Sequence, residues 1–105
     1  MDNDRLQQLR TMLAEEPNDL FLRYAIALEL KRAGEMEQAI AALEDILKHS
    51  PEHIASYYQL ALMLGEIGRA QDAISVCEAG SLQCLIAGDR KARAELLELK
   101  DALND

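Results

Sequence analysis

The sequence contains few residues of the kinds that define several classes of protein. It has no tryptophan, one phenylalanine and three tyrosines among 105 residues, although half of the residues are apolar. The core must therefore be aliphatic, and a composition rich in leucine, isoleucine and alanine favours helices over sheets. The two cysteines, Cys77 and Cys84, lie on one predicted helix with their Cα atoms ~10 Å apart. A disulfide cannot span that distance, so we expect reduced, buried thiols.

Basic residues are also scarce. Eleven lysines and arginines face nineteen aspartates and glutamates, and the net charge of -8 is spread along the chain. A negative field repels phosphate groups, which argues against nucleic acid and anionic membranes as partners. Three bases within four residues, Arg90, Lys91 and Arg93, are the local exception. The plain interpretation of this cluster is a solvated helix face, and the alternative is an anion site.

No long hydrophobic run is present. The N-terminus has neither a basic start nor an apolar segment, and no stretch approaches the roughly 18 uncharged apolar residues that a membrane span requires. These absences predict a cytoplasmic protein that does not insert into a membrane.

Recognisable catalytic patterns are missing as well. No serine, threonine or cysteine stands in a motif with a base, and no glycine-rich loop precedes a helix in a βα unit. His49 and His53 have a spacing found in zinc sites, but Pro51 and a predicted helix boundary separate them and no C-x-x-C pattern accompanies them. His49 near a helix C-terminus, where its positive form meets the dipole, is the plainer interpretation. We therefore predict no enzymatic activity, no metal and no cofactor.

The sequence does contain an internal repeat. Between residues 17–50 and 51–84, positions 34 residues apart are identical, without a gap, at nine places. The pairs are Pro17 and Pro51, Tyr24 and Tyr58, Ala27 and Ala61, Leu28 and Leu62, Leu30 and Leu64, Gly34 and Gly68, Ala39 and Ala73, Ile40 and Ile74, and Glu44 and Glu78. A unit of this length typically contains two helices and a turn, and such units are stable only when they stack on one another.

The repeat organises the chain as a single all-α domain of about six helices, 1–105. Residues 1–16 correspond to the second helix of a preceding unit, residues 17–50 form the first repeat and residues 51–87 the second. Residues 88–105 form a capping helix with one apolar face. Asn18 is the predicted N-cap of the first repeat, and Ser50 caps the second with Pro51 at the first helical position.

Helical spacing predicts which residues are buried. In the first helix of each repeat the buried stripes contain Leu20, Leu22, Ile26, Ala27 and Leu30, and Ile54, Tyr57, Leu60, Ala61 and Leu64. The flanking helices contribute Leu6, Leu9, Met12 and Leu13, then Met36, Ala39, Ile40, Leu43 and Leu47, and finally Ala92, Leu96, Leu99 and Leu103. The second helix of the second repeat is predicted to be longer, from about 70 to 87, with Ala73, Ile74, Cys77 and Leu82 buried, Gly88 ending it and Asp89 capping the next helix.

These positions resemble the tetratricopeptide repeat family. Tyr57 stands where that family usually has tryptophan, Leu60 and Ala61 match its Leu-Gly pair, and Gly68 and Ala73 match the turn and the helix crossing. In the first repeat the matching residues are Ile26, Ala27, Gly34, Ala39 and Pro51. Arg23 at the tryptophan position and Ile46 at a usually small position depart from the pattern, whereas the second repeat keeps Gly80 there. The resemblance covers nearly the whole chain and implies a right-handed α-solenoid of antiparallel helix pairs.

The first helix of each repeat has a second apolar face. Tyr24 and Leu28 lie roughly 130° around the axis from Ile26, Ala27 and Leu30. The family resemblance implies that this face lines a concave groove that holds a peptide or helix of another protein. The candidate partner-binding residues are Phe21, Tyr24, Leu28, Lys31, Tyr58 and Leu62. The alternative is that Tyr24 and Tyr58 belong to the core.

The predicted function is therefore a non-catalytic interaction module or adaptor. The alternative is a structural protomer that self-associates through the same apolar face, because exposed apolar patches often mark association surfaces. A sub-type of the family binds chaperone tails with lysine and asparagine on these helices. Tyr24 and Leu28 stand at the corresponding positions, so we expect no chaperone-tail binding. The sequence names neither the partner nor the pathway.

Overall fold

The computed structural model describes residues 4–105, which form six α-helices and no strand. The helices are α1 (Asp4–Glu15), α2 (Leu20–Arg32), α3 (Met36–His49), α4 (Ile54–Glu66), α5 (Ala70–Ala87) and α6 (Arg90–Leu103). The predicted all-α fold of helical repeats is confirmed. None of the helices in this part of the chain is both long and apolar enough to span a membrane.

The chain divides into two compact units, Met1–Ile46 and Leu47–Asp105. The division falls inside α3 and thus shortly before position 50, where the first repeat is predicted to end. A compact unit and a sequence repeat are different properties, so the repeat boundaries remain predictions.

The buried residues of the first unit lie on all three helices. On α1, Leu6 and Leu9 are buried, whereas Met12 is 51% exposed and does not belong to the core as the sequence predicted. The remaining buried apolar residues of this unit are Leu22, Ile26, Ala27 and Leu30 on α2, and Ala39, Ile40, Leu43 and Ile46 on α3. Ile46 is thus fully accommodated although the family usually has a smaller residue there.

In the second unit, α5 packs against both α4 and α6. Tyr57, Leu60, Ala61 and Leu64 are buried as predicted, while Ile54 is half-buried. Gly80 on α5 is buried where α5 comes very close to Tyr57 of α4 and Leu96 of α6. A Cβ atom placed on it would lie 2.7 Å from the Tyr57 Cβ and 2.9 Å from the Leu96 Cδ1. The missing side chain therefore allows three helices to meet.

The long helix α5 departs from the predicted burial in its last two turns. The buried residues are Ala73, Ile74, Cys77, Gly80, Ser81 and Cys84. Leu82, which the sequence analysis placed in the core, is 58% exposed. The reason is the position of Leu82 around the helix axis, about 100° from Ser81. The neighbouring helices cover only the side that carries Cys77, Ser81 and Cys84.

Two of the predicted helix starts are also corrected. The N-cap of α2 is Asp19 rather than Asn18, because the Asp19 carboxylate accepts a hydrogen bond from the Leu22 N–H at 3.0 Å. Ser50 does not cap α4, which begins only at Ile54 after a turn that contains Pro51. The predicted cap of α6 is confirmed, since the Asp89 carboxylate accepts from the Ala92 N–H at 3.0 Å.

Glycine ends three helices as predicted. Gly34, Gly68 and Gly88 follow α2, α4 and α5 with φ angles of 83°, 85° and 74°. These are left-handed values, which cost glycine much less than any residue with a side chain.

Arg23 and Tyr57, which stand at equivalent positions of the two repeats, make equivalent hydrogen bonds. The Tyr57 hydroxyl donates to the Pro51 carbonyl at 2.6 Å, and the Arg23 Nε donates to the Pro17 carbonyl at 2.9 Å. Arg23 also forms an ion pair with Asp45 at 3.2 Å. The departure at Arg23 therefore preserves the contact between the first helix of the repeat and the proline that precedes it.

Candidate functional site

The predicted binding face of the first unit lies on α2. Phe21, Tyr24, Leu28 and Lys31 are spaced three or four residues apart and therefore share one side of the helix. Phe21 is 74% exposed, and the other three side chains are half-buried. The opposite side carries the buried residues of the same helix. The result is a helix with one fully buried apolar side and one apolar side that is only partly covered.

Tyr24 is the more enclosed of the two aromatic residues on this face. Its burial raises the pKa of the phenol above the usual value, so the hydroxyl stays neutral in any physiological solution. A half-buried tyrosine presents an apolar ring together with a polar tip, which is a combination common at protein interfaces.

Charged residues order the C-terminal half of α2. Glu29 is buried and its carboxylate lies 3.5 Å from the Arg32 Nε and 3.8 Å from the Arg5 Nε. The pair with Arg5 connects α1 to α2. Glu29 is not one of the four residues of the candidate face, and Lys31 is the only charged residue among those four.

In the second unit, Tyr58 and Leu62 lie on the side of α4 that adjoins α6. Both side chains are half-buried. Gly65, one helical turn further along, meets α6 directly, since a Cβ placed there would lie 2.8 Å from the Leu103 Cδ2. The capping helix therefore covers part of the face that the sequence analysis assigned to a partner.

A cleft of about 250 Å³ remains beside Tyr58. Its lining residues are Ile54, Ala55, Tyr58, Asp89, Ala92, Glu95 and Leu96. Tyr58 is thus placed on one wall, with two carboxylates on the other. Sequence analysis missed Asp89 and Glu95 as lining residues because it treated α6 only as a cap. The signal was the helical spacing of Asp89, Ala92 and Leu96, which share one side of the helix.

The two thiols are buried and are not activated by their surroundings. Cys77 and Cys84 are free and buried, as predicted. Burial raises the pKa of both thiols, and the positive charges of Lys100 near Cys77 and of Arg93 near Cys84 oppose that effect only in part. A raised thiol pKa keeps the sulfur protonated and weakly nucleophilic at neutral pH. Across residues 4–105, no group of three or more histidine, cysteine, aspartate or glutamate side chains is arranged to hold a metal ion.

The six helices and the partly covered apolar faces on α2 and α4 are typical of a helical-repeat protein. The tetratricopeptide repeat family model matches residues 1–52. A tetratricopeptide repeat domain protein from Salinibacter ruber is similar in structure. Its solution structure has a TM-score of 0.80 at 29% sequence identity, over 83% of this chain and 88% of that one. A crystal structure of such a protein from the same organism has a TM-score of 0.77 at 28% identity, over 82% and 97% of the two chains.

A third similar structure, a protein from Bordetella parapertussis, has a TM-score of 0.85 over 99% of this chain and 90% of that one. Its 21% identity supports the shared fold alone. No protein of curated function matches the chain in sequence. With its 34-residue repeat, this chain belongs to the tetratricopeptide repeat family. Domains of this family generally mediate protein–protein interaction and are generally non-catalytic.

Proposed function

We propose that this protein is a non-catalytic adaptor that binds a peptide or helix of another protein in the concave groove predicted for the first helices of its repeats. The contact residues in this proposal are the six given by the sequence: Phe21, Tyr24, Leu28, Lys31, Tyr58 and Leu62.

The observation that carries the proposal is the exposure of Phe21. It is the only phenylalanine of the chain, and it is 74% exposed. Leaving a phenylalanine side chain in water forgoes about 1.5–3 kcal/mol of burial free energy. Aromatic side chains that anchor a partner are typically surrounded by less exposed apolar neighbours, and Tyr24 and Leu28 are such neighbours here.

Lys31 makes the two ends of the proposed face chemically different. It is half-buried at the end of the row that begins with the exposed ring of Phe21. A peptide lying along this row would place an apolar side chain on Phe21 and an acidic side chain or a carboxyl group beside Lys31. In the second unit, Tyr58 borders a cleft whose other wall carries the carboxylates of Asp89 and Glu95. This cleft favours a basic or hydrogen-bond-donating group of a ligand.

Affinity capture from a lysate of the source organism tests the proposal. The bait proteins are the wild type, Phe21→Ala, the double variant Tyr58→Ala with Leu62→Ala, and Met12→Ala as control. Met12 is also exposed, at 51%, but lies on α1. We expect proteins that bind the wild type and Met12→Ala to be lost from Phe21→Ala and from the double variant.

The thermal midpoint separates binding from folding in the same experiment. Phe21→Ala should leave it almost unchanged, because an exposed side chain contributes little to the folded state. Equal capture by all four baits would refute the proposal, and so would a large fall in the midpoint for Phe21→Ala. Capture of untagged copies of the chain itself, lost in Phe21→Ala, would instead support the self-associating protomer.

A further inference from the structure

The end of α5 carries an apolar surface that the proposed groove does not use. Five large apolar side chains are exposed among residues 4–105, and three of them lie within the last two turns of α5. Leu82 and Leu85 are 58% exposed and Ile86 is 72% exposed. Their spacing of three and four residues places them on one side of the helix, roughly opposite the buried Cys77 and Cys84. We call these three residues the α5 patch.

The α5 patch is continuous with a basic cleft. A cleft of about 450 Å³ is lined by Cys84, Leu85, Gly88, Asp89, Arg90, Arg93 and Ala94. Leu85 therefore belongs both to the patch and to the cleft, where it stands beside two arginines. Apolar surface and positive charge are thus presented side by side at the junction of α5 and α6.

The two arginines of this cleft, together with Lys91 next to Arg90 in the sequence, have unused hydrogen-bonding capacity. Arg90, Lys91 and Arg93 form none of the ion pairs found among residues 4–105, whereas Arg5, Arg23, Arg32, Arg69 and Lys100 each form one. The Nε of Arg93 is buried and has no hydrogen-bond partner in this part of the chain. A buried donor without an acceptor is unfavourable, so the Arg93 side chain would gain a hydrogen bond by turning towards a carboxylate of a ligand.

We propose that the α5 patch and the adjoining arginines form a second docking surface, which binds an acidic amphipathic segment of a partner protein. Apolar side chains of that segment pack on Leu82, Leu85 and Ile86, and a carboxylate accepts hydrogen bonds from Arg90 and Arg93. Charge favours this occupant: the three bases at the start of α6 are the one positive cluster in a chain whose net charge is -8. The same net charge disfavours an anionic phospholipid surface, which is too broad to meet these three bases alone.

A displayed library of amphipathic helical peptides tests this inference. Each peptide carries leucines spaced three and four residues apart, flanked by positions that encode glutamate, glutamine or lysine. Peptides selected on the whole protein are synthesised and their affinities measured by fluorescence anisotropy. We expect selected peptides with glutamate at these positions to bind about tenfold more tightly than versions with lysine, the effect of roughly two partly exposed charge pairs.

Variants of exposed residues assign the binding to this surface. Arg90→Glu should remove or reverse the preference for glutamate, and Leu85→Gln with Ile86→Gln should weaken all selected peptides. Arg10→Glu, an equal charge reversal at an exposed residue of α1, should change neither. Arg93→Gln provides a second test of the cleft should Arg90→Glu alter the fold, which circular dichroism would reveal. Phe21→Ala should not affect these peptides, so this surface and the proposed groove are tested separately.

Three results would overturn the inference. The first is selected peptides without a charge preference or without dependence on Leu85. The second is binding to vesicles of phosphatidylserine and phosphatidylcholine that depends on Arg90 and Ile86 while no peptide is selected, which would make the partner a membrane. The third is self-association in sedimentation experiments that Leu85→Gln abolishes, which would make the occupant a second copy of the chain.

Discussion

At the scale of single residues, the two repeats solve one packing requirement with different side chains. Arg23 and Tyr57 share no chemistry except a donor at the end of a long side chain, yet each donates to the carbonyl of the proline that precedes its helix. The position therefore requires a donor that reaches this carbonyl. Tyrosine meets the requirement as a buried residue, and arginine meets it while partly exposed and paired with Asp45.

Two leucines of the second unit provide a residue-scale test of the assigned core. Leu64→Ala should lower the free energy of unfolding by about 2–5 kcal/mol, because it leaves a cavity at a side chain that is 1% exposed. Leu82→Ala removes the same atoms from a side chain that is 58% exposed and should change stability by less than about 0.5 kcal/mol. Urea unfolding of the two variants measures both values. Similar losses would show that Leu82 belongs to the core as the sequence predicted.

At the scale of helices, the start of α2 distinguishes two neighbouring residues of similar chemistry. Asp19→Ala should destabilise the protein by about 1 kcal/mol, since it removes the acceptor for the Leu22 N–H. Asn18→Ala should have almost no effect, because the Asn18 side chain lies in the preceding turn and does not cap the helix. Thermal unfolding followed by circular dichroism compares the two. A larger effect of Asn18→Ala would show that Asn18 caps α2, as the sequence predicted.

The contact of α5 with α4 and α6 depends on one small residue. Alanine is favoured over glycine by about 1 kcal/mol within a helix, yet we expect Gly80→Ala to destabilise. Its Cβ would lie 2.7 Å from the Cβ of Tyr57, an atom that cannot turn away without moving α4. Overpacking of this kind typically costs about 1–3 kcal/mol, so the steric term should exceed the helical preference.

The control for this contact is Ala79→Leu, at an exposed position on the same helix. It should change the free energy of unfolding by less than about 0.5 kcal/mol. A stabilising Gly80→Ala would mean that the three helices are less closely packed than their distances indicate.

At the scale of the whole molecule, the net charge disfavours self-association and so favours the binding of a different protein. Copies of a chain with a net charge of -8 repel one another, and repulsion at ordinary ionic strength acts over about 8–10 Å. We therefore expect a monomer in sedimentation velocity over a wide range of concentration at low salt. A dimer that persists at low salt would favour the self-associating protomer. The variant Phe21→Ala would then tell whether the α2 face forms its interface.

The positions of most helices and of the core could be predicted from the sequence, because both depend on short-range patterns. Gly34, Gly68 and Gly88 end their helices as predicted, and the buried stripes of α2 and α4 are largely correct. The errors are at Asn18, Ser50, Met12 and Leu82. Next to Asn18, Asp19 caps the helix, and next to Leu82, Ser81 lies on the covered side. Ser50 fails because α4 begins only at Ile54, and Met12 fails because it is 51% exposed.

The sequence by itself determined the repeat, the six helices and the apolar periodicity that belongs to the tetratricopeptide family. Only the tertiary structure decided which apolar residues are covered. It placed α6 beside Tyr58 and Leu62, left Phe21 exposed, and turned Leu82, Leu85 and Ile86 towards solvent next to unpaired arginines. The physical reason is that helical periodicity fixes the side on which a residue lies. Whether that side meets another helix or water depends on neighbours that are distant in the sequence.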